Sequence, residues 1–322
     1  LGISKSTVSR ALSGDTSNVK AETLQKIMKT AHRMGYHRND LAVHLRQQRT
    51  HNIGIIIPEI ITTFYMTFIN EVQAILRKQG YKVMIAISSE NPKQERENLL
   101  MMEQLRVDGI LMSVCDKDQN VDLYNKVIER GIPIVFFDRT VEGVQASQVR
   151  MDDYIMAFFM VEALLRKGYK HILHIPGPAY IRNSRERQRG YRDALEKFHV
   201  AYQAQDILQP ALSAEEGSRV MEQYLEKNIP FDAVFGFTET AVLGAKSTLQ
   251  KHKMRIPDDV ALCCMSGTAL ATLVHPQLTA VEQPIGEMAR ESCRLLMEHL
   301  ADNNKKTEEI ALRGETVVRE ST

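Results

Sequence analysis

Apolar runs of strand length recur along residues 51–322, each followed by a segment of helical periodicity, and this alternation confines the chain to a parallel-sheet α/β architecture. Asn52-Ile53-Gly54-Ile55-Ile56-Ile57-Pro58 is continuously apolar rather than alternating, as a strand buried on both faces requires. A helical pattern follows over 65–79 and stops at Gly80, and the next strand reads over 81–87. Helix 94–105, strand 109–114, helix 122–130 and strand 133–137 continue the series. The pattern restarts after Asp152 with a helix to 167, strand 171–175, helices 187–198 and 214–227, strand 233–236, helix 240–252 and strand 260–265. A helix over 286–301 and closing strands return the chain through both halves. Two α/β halves of similar length predict two lobes with doubly wound parallel sheets and a cleft between them, onto which the strand C-termini open.

The first 50 residues are of another kind. They hold nine Lys/Arg against three acids, a charge of +6, while the rest of the chain holds 32 against 37, a charge of −5. A basic head on a slightly acidic body is the distribution of a nucleic-acid binder. Ser4-Lys5-Ser6-Thr7-Val8-Ser9-Arg10-Ala11-Leu12 reads as a short helix capped by Ser4, with Gly2 in the turn before it. Val8, Ala11 and Leu12 form its inner face. Lys5, Ser6, Ser9 and Arg10 point outward, where hydroxyls and cations suit phosphates and base edges in a major groove. A second helix is predicted over 21–34, with Leu24, Ile27, Met28 and Ala31 on one face and Gly35 at its end. Residues 39–46 read as a short polar helix between domains. Its Leu45, near Arg46 and Arg49, has no core to join and is placed to wedge into a minor-groove step.

Candidate ligand contacts lie at strand ends in the body. Phe64 and Tyr65 follow the first strand and can stack on an apolar ring or sugar face. Asp138 follows Phe136-Phe137, where an acid needs a polar role. Arg187, read as starting a helix, can grip hydroxyls or a carboxylate bidentately, or pair with Asp138. Thr238 and Glu239 end one strand, Ser266 ends another, and Gln283 lies near a lobe crossover.

The motif GISKSTVSRAL, with Val19, Glu22-Thr23, Gly35-Tyr36, Asn39 and Ala42-Val43-His44-Leu45, resembles the lactose/galactose repressor (LacI/GalR) family. The resemblance runs through Val107-Asp108-Gly109-Ile110, Asp138-Arg139, Arg187 with Gly190-Tyr191, Pro257-Asp258-Asp259-Val260 and His275-Pro276-Gln277-Leu278-Thr279 to Val318-Arg319-Glu320-Ser321-Thr322. It implies a helix-turn-helix head over 1–36 whose first helix precedes Leu1, and a hinge over 37–50. It implies a core like that of periplasmic sugar-binding proteins, one lobe formed by 51–150 with 285–311 and the other by 151–284 with 312–322. By resemblance Lys5, Ser6 and Arg10 read bases, Ser4, Thr7 and Ser9 hold phosphates, Asn39 belongs to the DNA-binding segment, and Leu45 is the minor-groove lever. The implied effector contacts are Phe64, Tyr65, Asp138, Arg187, Thr238, Glu239, Ser266 and Gln283. The chain departs from the family with Arg38 for a common proline, Val43 for a common arginine, Thr238-Glu239 for Asn-Asp, and Cys264-Met265-Ser266 for a Gly-aromatic-Asp run. The lost aspartate is one that holds sugar hydroxyls. A sugar leads as effector, and removal of that repulsive charge also opens the site to a sugar phosphate or acidic sugar.

The expected function is therefore a transcriptional repressor that binds double-stranded operator DNA under allosteric control by a small molecule. No GxSxG elbow, phosphate-cradling glycine loop or HExxH pair points to an enzyme, and no cofactor is implied. Cys115, Cys263, Cys264 and Cys293 lack metal-type spacing, and Cys263-Cys264 read as core filling, so a reduced cytoplasmic setting is expected. No apolar run is long enough to span a bilayer, so no membrane partner is expected. With no leucine heptads after the core, a homodimer is the expected state. The alternative, a solute-binding protein feeding a transporter, has the same cleft but no use for residues 1–50.

Overall fold

The computed structural model describes residues 2–13, 19–35, 49–116 and 118–322. The chain divides into two compact units, Leu1–Thr50 and His51–Thr322. In the smaller unit, α1 (Lys5–Ser13) is capped as expected, the Ser4 hydroxyl accepting from the Thr7 backbone N–H at 3.1 Å. α2 (Ala21–Arg33) packs against it, with Ala11 and Ile27 buried. Gly35 follows α2 at φ +60°, a conformation glycine adopts without strain. Met28, expected on the inner face, is half exposed. Successive residues on α2 turn about 100° from one another, so Ile27 fills the contact with α1 and Met28 lies to the side of it. The expected helix over 39–46, with Asn39 and Leu45, lies outside the described residues.

The larger unit begins with β1 (Asn52–Ile57), α3 (Thr63–Lys78), β2 (Lys82–Ile87), α4 (Pro92–Gln104), β3 (Gly109–Met112), α5 (Val121–Glu129), β4 (Ile134–Phe137) and β5 (Ser147–Met151). It continues through α6 (Asp153–Arg166), β6 (Ile172–Ile175), α7 (Arg182–Lys197), α8 (Ala214–Leu225), β7 (Ala233–Gly236), α9 (Glu239–Lys251), β8 (Ala261–Gly267), α10 (Leu270–Leu273) and β9 (Thr279–Glu282). It closes with α11 (Ile285–Ala301), β10 (Glu309–Leu312) and β11 (Glu315–Val317).

Two sheets result, in the orders β10-β5-β4-β3-β1-β2 and β11-β9-β8-β7-β6. All pairs are parallel except β11 with β9, an antiparallel edge in an otherwise parallel sheet. The expected α/β class with doubly wound sheets is what forms. The Ile-rich run explains why. Ile53, Ile55 and Ile57 point into a core with Phe68, Leu76 and Leu296, while Ile56 joins Leu99, Met102 and Tyr124 on the opposite face. Neither face of β1 meets water, so a polar residue at alternate positions would have no partner.

Helices of the second half pack closer than ordinary side chains allow. A Cβ on Gly244 would lie 1.9 Å from the Ala214 carbonyl oxygen, and one on Gly217 2.0 Å from that of Ala241, so α8 and α9 touch backbone to backbone. Gly190 does the same for α7 against α6, 2.4 Å from the Tyr154 oxygen. The chain crosses between sheets after β5, after β9 and between β10 and β11. These crossings run side by side: Asp152 N–H donates to Leu312 O at 2.8 Å, and a Cβ on Gly314 would sit 2.7 Å from Glu282 O.

Candidate functional site

A cleft of about 70 Å³ lies between the two sheets, and all eight residues expected to contact an effector line it. The first-sheet wall is built on Asp138, just past β4, at φ +57°. Its Oδ2 accepts from the Tyr65 hydroxyl at 2.8 Å, and that hydroxyl is also 3.0 Å from Ser113 Oγ. Its Oδ1 accepts from Asn183 Nδ2 at 3.1 Å. Asn183 belongs to α7 on the second-sheet side, so this carboxylate ties the two walls together. Burial pushes the Asp138 carboxyl up to about 6, against the opposing pull of Arg139. Burial likewise raises the Tyr65 phenol. Tyr65 therefore positions Asp138, and Phe64 packs edge-on against it with centroids 5.0 Å apart.

Arg187 dominates the second wall. It does not start its helix as expected. α7 begins at Arg182, a turn earlier, because a turn closed by Ile181 N–H on Pro178 O at 3.1 Å delivers the chain there, with Ile181 extended as the residue before the helix. Nor does Arg187 pair with Asp138. Its Nε donates to Asp153 Oδ1 at 2.7 Å and its Nη1 to Phe237 O at 2.7 Å, while its Cζ sits 4.3 Å from the centre of the Phe237 ring. Both members of the ion pair are 3% exposed. With Nε and one Nη1 N–H engaged, the second Nη1 N–H and the Nη2 pair remain as the end-on fork for a bidentate grip.

Thr238 caps α9, accepting from Ala241 N–H at 3.2 Å and donating to Leu212 O at 3.1 Å. Glu239, the first residue of α9, donates its N–H to Ser266 Oγ at 3.1 Å. Its carboxylate accepts from Thr268 N–H at 3.2 Å and from the Thr268 hydroxyl at 2.5 Å. Burial raises its pKa, which the Thr268 bonds partly offset. Gln283 completes the wall with a buried Oε1 that has no hydrogen-bond partner.

Sequence reading missed Arg139, Asn183, Phe237 and Thr268, which also line the cleft. Arg139 directly follows Asp138 and was legible as a neighbour. Asn183 was lost with the misplaced helix start, and the Asp153 partner of Arg187 was hidden behind the flagged Asp152, which caps α6 by accepting from Ile155 N–H at 3.2 Å.

In the smaller unit Lys5, Ser6, Ser9 and Arg10 are exposed on α1, as the pattern required. Ser4 Oγ lies 2.9 Å from Ser6 Oγ and 2.8 Å from Thr7 Oγ1, a cluster of hydroxyls at the helix N-terminus. Arg10 Nε donates to Ser6 O at 3.4 Å. The four cysteines are free and buried, and burial pushes the Cys293 thiol up to about 12. Among the described residues no group of His, Cys, Asp and Glu is placed to hold a metal, and no helix is long and apolar enough to cross a membrane.

Comparison with known proteins matches residues 2–39 to "Bacterial regulatory proteins, lacI family" and residues 50–312 to "Periplasmic binding proteins and sugar binding domain of LacI family". The chain is 28% identical over 322 residues to the HTH-type transcriptional regulator DegA of Bacillus subtilis, covering all of this chain and 95% of that protein. It is 29% identical over 307 residues to catabolite control protein A of Priestia megaterium, covering 95% and 90%. Its fold superposes on that of the transcriptional regulator CelR in complex with cellobiose with a TM-score of 0.78 at 25% identity, covering 100% of this chain and 97% of that one.

Proposed function

The chain belongs to the lacI family of bacterial regulatory proteins, and from that membership we propose that it is a repressor whose hold on operator DNA is set by a sugar or sugar derivative in the cleft. The relatives are transcription regulators and not enzymes, and the lacI-family head argues against a pure solute-binding role. The observation that carries the reading is the convergence of all eight expected contacts on one cleft, with Asp138 bonded to Tyr65 from one wall and Asn183 from the other. A ligand hydroxyl competing for Asp138 alters the tie between the lobes, and any ligand with unequal affinity for their two arrangements shifts the balance between them.

In this reading Lys5, Ser6 and Arg10 contact base edges, while Ser4, Thr7 and Ser9 contact phosphates. Asn39 and Leu45 act within the hinge over 37–50. In the same reading one lobe spans 51–150 with 285–311 and the other 151–284 with 312–322. The protein works as a cytoplasmic homodimer on a pseudo-palindromic site, since paired heads match paired half-sites. The test is fluorescence anisotropy of the full-length protein on DNA from its own gene's upstream region. Expected is preference over random duplex, steep weakening with salt, and a change in affinity on adding sugars. Equal affinity for all duplexes would overturn the proposal.

A further inference from the structure

The titratable side chains lining the cleft are Glu59, Tyr65, Asp138, Arg139, Arg187 and Glu239. Both guanidiniums bring their own counter-charge. Arg139 Nη1 is 2.8 Å from Glu90 Oε2, and Arg187 Nε is 2.7 Å from Asp153 Oδ1. The site thus holds five carboxylates against two guanidiniums. The next cations outward are also committed, Arg182 to Glu309 at 3.6 Å and Arg319 to Glu282.

The hydrogen-bond inventory leans the same way. An ionised carboxylate offers about four lone-pair sites. Tyr65 and Asn183 engage one oxygen each of Asp138, and Thr268 donates twice to Glu239. Both carboxylates keep acceptor capacity and Gln283 Oε1 adds a buried acceptor with no donor, beside the donors of Gln283 Nε2 and Arg187 Nη2. A phosphate dianion or a carboxylate brings only acceptors and charge of the same sign, whereas hydroxyl and ammonium groups bring donors.

We infer that the cleft selects a polyol without negative charge, either uncharged or bearing an ammonium group, held by donors reaching Asp138 on one wall and Glu239 on the other. This rests on the sugar-cleft reading above and adds the charge class of the ligand. It reverses the anionic option drawn from the loss of an aspartate at Ser266. Glu239, whose N–H bonds Ser266 Oγ, keeps a carboxylate beside that corner of the site although the aspartate at 266 is gone. Burial already raises the pKa of both Asp138 and Glu239, so a further anion beside them is opposed.

Calorimetric titration of the full-length protein tests this with matched sets: glucose, glucosamine, glucose 6-phosphate and glucuronate; the same four forms of galactose; and ribose with ribose 5-phosphate. Within any set that binds, the neutral or amino form is expected to bind at least about a hundredfold tighter than the phosphate or uronate. Glu239→Gln is expected to weaken the neutral ligand and narrow that gap to about tenfold or less. A phosphate or uronate binding as tightly as its neutral counterpart sinks the inference and leaves the sugar reading standing. Silence from every set removes that reading and the inference with it. An unchanged gap in a folded Glu239→Gln protein overturns the role given to Glu239. If that variant does not fold, the wild-type ranking decides alone.

Discussion

The two walls of the cleft present the same chemical group by different physical means. On the first-sheet side Asp138 is held by a left-handed backbone conformation, burial and a tyrosine hydroxyl. On the second-sheet side Glu239 is held by a helix start, where the first N–H groups and the helix dipole favour an anion. The support behind them differs as well. The first wall rests on interdigitated side chains, and the second on helices in backbone contact and one buried ion pair. A wall built on flexible side chains absorbs change, and a wall built on backbone contact does not.

That contrast orders a set of substitutions. Arg187→Met has the largest expected effect, about 3–5 kcal/mol of stability measured by denaturant unfolding, because it leaves Asp153 buried without its partner. Adding Asp153→Asn should recover part of the loss, and an Arg187→Met protein as stable as wild type would erase the contrast. Gly244→Ala follows, at about 3 kcal/mol, since the new Cβ meets the Ala214 carbonyl oxygen and α8 must separate from α9. Its counterpart in the first wall, Gly54→Ala, meets side-chain atoms alone, Met102 Sδ at 3.0 Å, Met102 Cγ at 3.3 Å and Ile110 Cγ1 at 3.5 Å, and should cost less than about 1 kcal/mol. Equal melting points for the two glycine variants would show that the walls do not differ in stiffness.

A pH series sharpens the comparison at Asp138 itself. Its folded pKa of about 6 lies above the ordinary value of 3.8, so the folded protein binds this proton more tightly than the unfolded chain. The resulting stabilisation is present below pH 4 and is lost as pH rises through 6. Asp138→Asn should flatten that part of the melting-temperature profile, seen by calorimetry between pH 4 and 7. A profile unchanged by the substitution would place the buried charge elsewhere.

Much of the cleft was legible because strand ends are legible. An apolar run must stop where it reaches water or a ligand, so Asp138, Thr238 and Ser266 announced themselves as polar residues closing Phe136-Phe137, Phe235-Gly236-Phe237 and Cys263-Cys264-Met265. Arg187 was visible only as a residue type. Its partner could not be read, since Asp153 is 34 positions away and its pairing depends on α6 and α7 approaching across Gly190. Met28 fell on the predicted stripe, yet which part of that stripe meets α1 depends on the angle at which the two helices pack.

The amino-acid order alone determined the α/β alternation, the basic head, the outward face of α1 and the strand-end positions Asp138, Thr238 and Ser266 at the cleft, because each follows from local periodicity, charge or the end of an apolar run. Only the tertiary structure decided that both cleft arginines are already neutralised, that Asp138 bridges the walls, and that Glu239 turns toward Thr268. Such pairings join residues tens of positions apart, and burial sets their strength. Neither separation nor burial exists until the sheets have packed.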